Sequence, residues 1–175
     1  MISEKLFQLN TLVLCDTPST EKPDAFYIFA EPATHIDLLV SAVAPIAKQR
    51  KIKVAICGGV GQGYDFRVWF KALRENGLKE DEIVLISPDE YLNTITESTK
   101  LAQHAKMFGW KNIWITAPPF QQLRAFITLA SMLKKEFWYA KIFNMLALPI
   151  DWYKEIIHYH GEVRGKPFVD ERLDR

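Results

Sequence analysis

The chain has 175 residues, of which 49% are hydrophobic and 13% are aromatic, so it can furnish the core of one globular domain. Its 22 basic and 21 acidic residues are spread along the chain and leave a net charge of +1, which excludes the strongly basic surface typical of nucleic-acid binders. We therefore expect its partners to be small molecules or protein surfaces, and no nucleic acid.

The N-terminal residues do not have the pattern of a secretion signal or a membrane anchor. Glu4 and Lys5 stand ahead of broken apolar runs, and no stretch approaches the roughly 20 apolar residues that span a bilayer. Cys15 and Cys57 lie far apart within apolar runs, which favours buried reduced thiols over a disulfide or a metal site. These features predict a cytoplasmic protein without a membrane anchor.

Strand and helix patterns alternate along the chain in units of about thirty residues. An amphipathic helix is predicted over residues 1–16, followed by apolar strands over residues 24–30, 52–57, 82–87, 112–116 and 137–146. Residues 162–175 are mostly charged or polar and predict a loosely packed tail or a short surface helix. This order favours a single α/β domain over residues 1–175, a three-layer Rossmann-like fold with a mostly parallel five-stranded sheet.

The helices between the strands each show an apolar stripe that is expected to face the sheet. In chain order these stripes are Ile36, Leu39, Val40, Val43 and Ala47; Phe66, Trp69, Phe70 and Leu73; Leu101, Ala102, Ala105 and Phe108; and Leu123, Phe126, Ile127 and Ala130. We expect Pro45 to kink or split the first of these helices, and Asn76 with Gly77 to end the second.

A glycine-rich loop follows the second strand and contains Gly58, Gly59, Gly61 and Gly63. Glycine lets a backbone approach a ligand closely, and the free N–H groups and positive dipole end of the helix that follows attract an anion. The spacing matches neither the dinucleotide fingerprint G-x-G-x-x-G nor a P-loop, which needs a following Gly-Lys-Ser/Thr. The alternative is a flexible turn with Asp65 as the helix N-cap.

In a parallel sheet the carboxyl ends of all strands meet at one edge, where ligands bind. Besides the glycine loop, the polar groups expected at this edge are Glu31, Asp89, Glu90, Asn93, Thr94, Thr116, Gln121 and Arg124. Thr94 and Glu97 have the spacing of a capping box, so Thr94 is expected to cap a helix and, with Asn93, to donate to a ligand. Asp89 either holds the hydroxyls of a ribose or forms an ordinary turn.

Arg124 lies early on the helix after the fourth strand, where its planar guanidinium can bind a carboxylate or a phosphate. The alternative is a salt bridge to Asp89 or Glu90. Gln121 opens the same helix at the sheet edge and is expected to be surface-like.

The histidines do not favour a metal site. His158 and His160 are two residues apart and would point in different directions from a helix, so they cannot share one metal ion. His35 and His104 lie in predicted helices, where solvent-facing histidines are common.

At Gly58-Gly59, at Asn93-Thr94 and in the run Phe-Gln-Gln-Leu-Arg-Ala over residues 120–125, the sequence resembles the YdcF/SanA/ElyC-like family, a domain-of-unknown-function group with a Rossmann-like fold. The likeness covers roughly residues 24–124. Asp24 and Arg124 match an aspartate and an arginine of the family pattern, whereas Gln121 stands where the family has a histidine. The resemblance implies a nucleotide-like ligand, such as S-adenosylmethionine in one branch, and cell-envelope maintenance in membrane-anchored branches.

Two functions follow as hypotheses. The first is the binding of a small anionic, nucleotide-like ligand, for which S-adenosylmethionine is one candidate, at the carboxyl edge of the sheet. The ligand-binding residues would be Gly58, Gly59, Gly61, Gly63, Asp89, Asn93, Thr94, Gln121 and Arg124. The alternative is a structural or regulatory protein-interaction module linked to the cell envelope, without catalytic activity. An amide cannot titrate, so Gln121 leaves open whether the chain is an enzyme.

Overall fold

A five-stranded sheet lies at the centre of the computed structural model, which describes residues 21–29, 36–58, 66–86 and 93–145. The strands are β1 (Ala25–Ile28), β2 (Lys53–Cys57), β3 (Ile83–Ile86), β4 (Asn112–Thr116) and β5 (Lys141–Asn144). The helices are α1 (Ile36–Arg50), α2 (Phe66–Glu75), α3 (Thr94–Phe108) and α4 (Pro119–Lys135), and a 3-10 turn, Glu80–Glu82, precedes β3.

Neighbouring strands all pair in parallel, in the order β3-β2-β1-β4-β5. In the central strand β1, Ile28 aligns with Ile56 of β2 on one side and with Thr116 of β4 on the other. The chain moves from β1 outward to β3 and then returns to β4, so the direction of winding reverses between β1 and β4. The predicted Rossmann-like α/β fold is therefore confirmed, and its switch point lies at the carboxyl ends of these two strands.

Alternate residues of β1 face opposite layers of helices. The Tyr27 hydroxyl donates to Oε1 of Glu97 on α3 at 2.7 Å, whereas the ring of Phe26 packs edge-on against Trp114. The Arg50 guanidinium, at the end of α1, lies 5.0 Å from the centroid of the Trp114 ring. With right-handed crossovers, α1 and α2 thus cover one face and α3 and α4 the other, and β1 is fully buried between them.

Helix α1 continues through Pro45, so the expected split is wrong. Pro45 has no N–H to donate to the carbonyl of Ser41, but both residues are exposed, and water can bond that carbonyl. The apolar stripe of α1 is buried as predicted.

The stripes of α2 and α3 are confirmed in part. Trp69 and Leu73 of α2 are buried, and Gly77 ends that helix with a φ of 85°. Phe66 and Phe108, at the beginning of α2 and the end of α3, are exposed instead of packed on the sheet. Both lie in the terminal turns of their helices.

Helix α4 is rotated about its axis relative to the prediction. Ala125, Leu129 and Leu133 are buried, whereas Ile127 and Ala130 are exposed, and Leu123 and Phe126 are only half-buried. The buried face begins with the polar residues 121 and 122, which a pattern of hydrophobic residues assigns to the surface. The predicted stripe is wrong for that reason.

Strand β5 begins later than predicted, because α4 continues to Lys135 and Phe137 adopts a φ of 53° in the turn that follows the helix. The predicted helix over residues 1–16 and the tail over residues 162–175 lie outside the described residues. Of the helices in the described ranges, none combines the length and the apolar character needed to cross a bilayer.

Two local contacts, one at Gly58 and one at Asp24, lie at opposite ends of the sheet. An added Cβ on Gly58, directly after β2, would lie 2.8 Å from Cα of Phe66, so only glycine lets α2 begin against this strand end. At the other end, Oδ2 of Asp24 accepts hydrogen bonds from the N–H groups of Lys111 and Asn112, at 2.6 and 2.9 Å. Asp24, one of the residues that carry the family resemblance, therefore joins the starts of β1 and β4, far from the carboxyl edge.

Gly58→Ala is expected to lower the free energy of unfolding by about 2 kcal/mol, because the methyl group would push α2 away from β2. Urea denaturation measures the loss. The control is Gly109→Asn, which keeps a φ of 70° with no atom within 4 Å of a new Cβ and should cost under about 1 kcal/mol. Equal costs for the two variants would show that close approach is not the reason for Gly58.

Candidate functional site

Asn93, and not Thr94, caps helix α3. The Asn93 Oδ1 accepts hydrogen bonds from the N–H groups of Ile95 and Thr96, both at 2.9 Å, and the Thr96 hydroxyl accepts one from the Asn93 N–H at 3.0 Å. The predicted capping box of Thr94 and Glu97 is therefore wrong by one residue. The cap leaves the Thr94 hydroxyl available for another partner, and it occupies two backbone donors that an anion would otherwise use.

The shifted start of α3 turns Glu97 into the protein. Glu97 is 1% exposed, and its carboxyl group accepts the hydrogen bond from the fully buried Tyr27. Burial, and then the negative charge of Glu97, raise the pKa of Tyr27 well above its ordinary value of 10.0, so Tyr27 acts as a donor at neutral pH. The pair fastens the first turns of α3 to the central strand.

Cys57 lies on the same face of the sheet, near this pair. Burial raises the pKa of its thiol well above the ordinary value of 9.0, the charge of Glu97 adds to the rise, and Tyr27 and Lys100 oppose it. The thiol is therefore protonated and sterically inaccessible, which confirms the prediction of a buried, reduced thiol for Cys57, whereas Cys15 lies outside the described residues.

Gln121 lies at the start of α4, beside the start of α3. Its Nε2 donates to the Thr94 hydroxyl over 3.4 Å, and only 3% of the residue is exposed. The prediction of a surface-like glutamine is therefore wrong, and a histidine in its place would not be neutral for stability. Within the described part of the chain, Oε1 of Gln121 is buried and has no hydrogen-bond partner, and the same holds for Oγ1 of Thr116 at the end of β4.

Gln122 was missed by the sequence reasoning and organises the carboxyl ends of two strands. Its Oε1 accepts the N–H of Ala117 at 2.6 Å, and its Nε2 donates to Oδ1 of Asn144 at 2.6 Å and to the carbonyl of Ile115 at 3.3 Å. All of the carboxamide's hydrogen-bonding groups thus bind the protein. Its neighbour Gln121 differs, because the acceptor oxygen of Gln121 is unpaired. We therefore interpret Gln122 as structural and Gln121 as a candidate ligand contact.

Arg124 lies on the exposed side of α4, one turn after Gln121, and takes part in a polar or electrostatic interaction. Gly58 is buried and contacts the start of α2. The other predicted site residues, Gly59, Gly61, Gly63 and Asp89, lie outside the described residues, as do Glu31 and Glu90. The structure therefore brings Asn93, Thr94 and Gln121 together and leaves the glycine loop as a prediction.

His104 is half-buried on α3 and stacks on Phe108, with ring centroids 4.3 Å apart. Burial lowers the pKa of its imidazole, so it is neutral at physiological pH. The described ranges contain no group of three or more histidine, cysteine, aspartate or glutamate side chains placed to hold a metal ion.

The groups described at this edge can donate and accept hydrogen bonds. The ionisable groups that face the start of α3 from β1 and β2 are buried and held protonated, and Gln121 cannot transfer a proton. What the edge presents is an unpaired amide oxygen, a hydroxyl and, one turn along α4, a cation.

No protein-family model matches this chain, and no curated protein or solved structure is significantly similar to it. The resemblance to the YdcF/SanA/ElyC-like family therefore stays a prediction from the residues that suggested it.

Tyr27→Phe should lower the free energy of unfolding by about 1–3 kcal/mol, because the buried carboxyl group of Glu97 loses a donor. In a double-mutant cycle with Glu97→Gln, the two losses should be non-additive by about 1 kcal/mol or more. Tyr139→Phe is the matched control, since Tyr139 is exposed and its loss should stay within about 0.5 kcal/mol. Strict additivity would mean that the hydrogen bond does not fasten α3.

Proposed function

We propose that the carboxyl edge of the sheet binds a small anionic, nucleotide-like ligand. The observation that carries this proposal is the buried, unpaired Oε1 of Gln121. It is one of six such side-chain atoms in the described residues, and only it and Oγ1 of Thr116 belong to residues predicted at this edge. A buried acceptor without a partner costs about 1–3 kcal/mol, and natural proteins keep such groups mainly where a ligand or an ordered water completes them.

The fold supports the same location. Gln121 follows β4, which lies next to β1 at the switch point of the sheet, and ligands of Rossmann-like folds bind in the crevice formed there. The starts of α3 and α4 meet at this point through the contact between Thr94 and Gln121. A ligand in the crevice would therefore touch groups from both helices.

The polar groups define the chemistry of the ligand. An amide oxygen accepts an N–H or O–H group, such as the exocyclic amine of adenine or a ribose hydroxyl. Arg124 supplies a planar cation suited to a carboxylate or a phosphate, and the glycine loop after β2 would cradle the same anion. S-adenosylmethionine combines these groups and is one candidate, as are mononucleotides. Asn93 serves as the helix cap and contributes by positioning Thr94.

A thermal-shift screen of the full chain against S-adenosylmethionine, mononucleotides and phosphosugars should find a ligand. At one hundred times its dissociation constant, a ligand adds about 2.7 kcal/mol to the free energy of unfolding. Gln121→Met should remove this shift while leaving the unliganded protein as stable or more stable, because it deletes an unsatisfied buried acceptor and keeps the volume.

Arg124→Ala should also remove the shift if the guanidinium binds the anion, whereas Lys71→Ala, which removes an exposed cation on α2, should not. A Gln121→Met protein that loses stability but binds with unchanged affinity would contradict the proposal. If no compound in the screen raises the melting temperature of the wild-type protein, the alternative of a structural or regulatory interaction module is favoured.

A further inference from the structure

The three most exposed large apolar side chains of the described residues lie at the end of the molecule opposite the candidate site, whereas the fourth, Ile95 at 61%, lies at the start of α3. Tyr139, Phe137 and Met107 are 88%, 85% and 72% exposed, and Phe108 beside Met107 is 60% exposed. They stand where α3 and α4 end and where β4 and β5 begin, at the amino edge of the sheet. Clustering of exposed apolar groups marks an interaction surface, whereas scattered ones do not.

Two segments form this surface, residues 106–111 and 134–141, which we name the basic-aromatic end. The Nε1 of Trp138 donates to the carbonyl of Trp110 at 2.7 Å, and Nζ of Lys106 donates to the carbonyl of Glu136 at 2.8 Å. Nζ of Lys111 lies 3.6 Å from the centroid of the Trp138 ring. These contacts hold the two segments together, so their exposed side chains form one surface.

The charge of the basic-aromatic end differs from that of the whole chain. It contains five lysines and one acidic residue, whereas the 175 residues together carry a net charge of only +1. The lysines are Lys106, Lys111, Lys134, Lys135 and Lys141, all exposed. Glu136 lies near Lys106, with N and O atoms 3.8 Å apart, Glu21 binds Lys141 at 3.0 Å, and the Asp24 carboxylate accepts from the N–H of Lys111. Five lysines thus meet three carboxylates, and positive charge remains in excess.

Phe137 is unfavourable for the unliganded fold in two ways. Its φ of 53° is a left-handed conformation that costs a residue with a Cβ about 1–2 kcal/mol, and its ring is left in water. The helices α2 and α3 are followed by glycine at the corresponding turn, with Gly77 and Gly109 at φ values of 85° and 70°, whereas α1 is followed by Lys51 with a φ of 52°. The backbone conformation of Phe137 therefore has a counterpart in the fold, and the exposed aromatic ring is the feature that an external partner would explain.

We propose that the basic-aromatic end docks on the surface of an anionic phospholipid bilayer. Aromatic side chains partition into the interfacial region, and clustered lysines are attracted to negatively charged headgroups. Lysine is depleted in protein–protein interfaces, and neither segment contains arginine, the cation enriched there, so a lipid surface fits better than a protein. Phe137 and Tyr139 would enter the headgroup region, with the lysines around them. This inference does not depend on the ligand proposed for the opposite edge.

Co-sedimentation of the full chain with vesicles tests the proposal. The protein should bind vesicles of equimolar phosphatidylcholine and phosphatidylserine more tightly than vesicles of phosphatidylcholine alone, and added salt should weaken the binding. Each of Lys134→Gln and Lys135→Gln should weaken it about fivefold. Phe137→Gly should weaken it about tenfold or more, while the melting temperature stays the same or rises, because glycine accommodates the backbone.

The matched controls are Val68→Ser and Lys71→Gln, which remove an exposed apolar residue and an exposed lysine from α2 and should leave vesicle binding unchanged. Failure of the wild-type protein to bind the anionic vesicles overturns the proposal. Binding that Phe137→Gly leaves unaffected also overturns it, as does binding to soluble polyglutamate with the same affinity as to the vesicles, which would indicate an acidic protein partner.

Discussion

The cap that Asn93 provides determines how α3 meets the rest of the protein. A helix turns by about 100° per residue, so beginning one residue later or earlier would rotate every side chain of α3 by that angle. With Asn93 as the cap, Glu97 faces β1, where Tyr27 binds it, and the hydroxyl of Thr94 faces the start of α4, where Gln121 binds it. The hydrogen bond between Tyr27 and Glu97 and the one between Gln121 and Thr94 therefore both depend on the cap at Asn93.

Four of the five strands and the buried face of α1 could be predicted from the sequence, whereas the start of β5 and the orientation of α4 could not. Runs such as residues 52–57 and 112–116 are apolar throughout, as strands buried on both faces must be, and their parallel order follows from the helices between them. The apolar stripe of α4 was wrong because Gln121 and Gln122 are buried, and a polar residue is buried only when tertiary partners exist for it. One partner of each glutamine is distant in the sequence, Thr94 for Gln121 and Asn144 for Gln122, so no local pattern reveals it.

The sequence predicts the edge of the sheet for the candidate site but not the contacts of its residues. The carboxyl edge follows from any parallel sheet, and the glycines and polar residues after the strands pointed to it. The different roles of those residues are seen only in the structure. Asn93 caps a helix, Gln122 forms hydrogen bonds to three partners, and Oε1 of Gln121 is unpaired. The basic-aromatic end, at the opposite edge, was not predicted from the sequence. Single exposed aromatic residues are common, and only their contacts in the structure show that they form one surface.

We propose that a small ligand completes the hydrogen bonding of Gln121 at the switch point of the sheet. Heteronuclear NMR of the full chain, titrated with S-adenosylmethionine and with adenosine monophosphate, tests this most directly. One of them should shift the side-chain amide resonances of Gln121 and the backbone amide resonances of Thr94 and Ala117, while the resonances of Phe137 and Tyr139 stay in place. Shifts confined to the latter residues, or a saturating ligand that leaves the Gln121 amide unchanged, would contradict it.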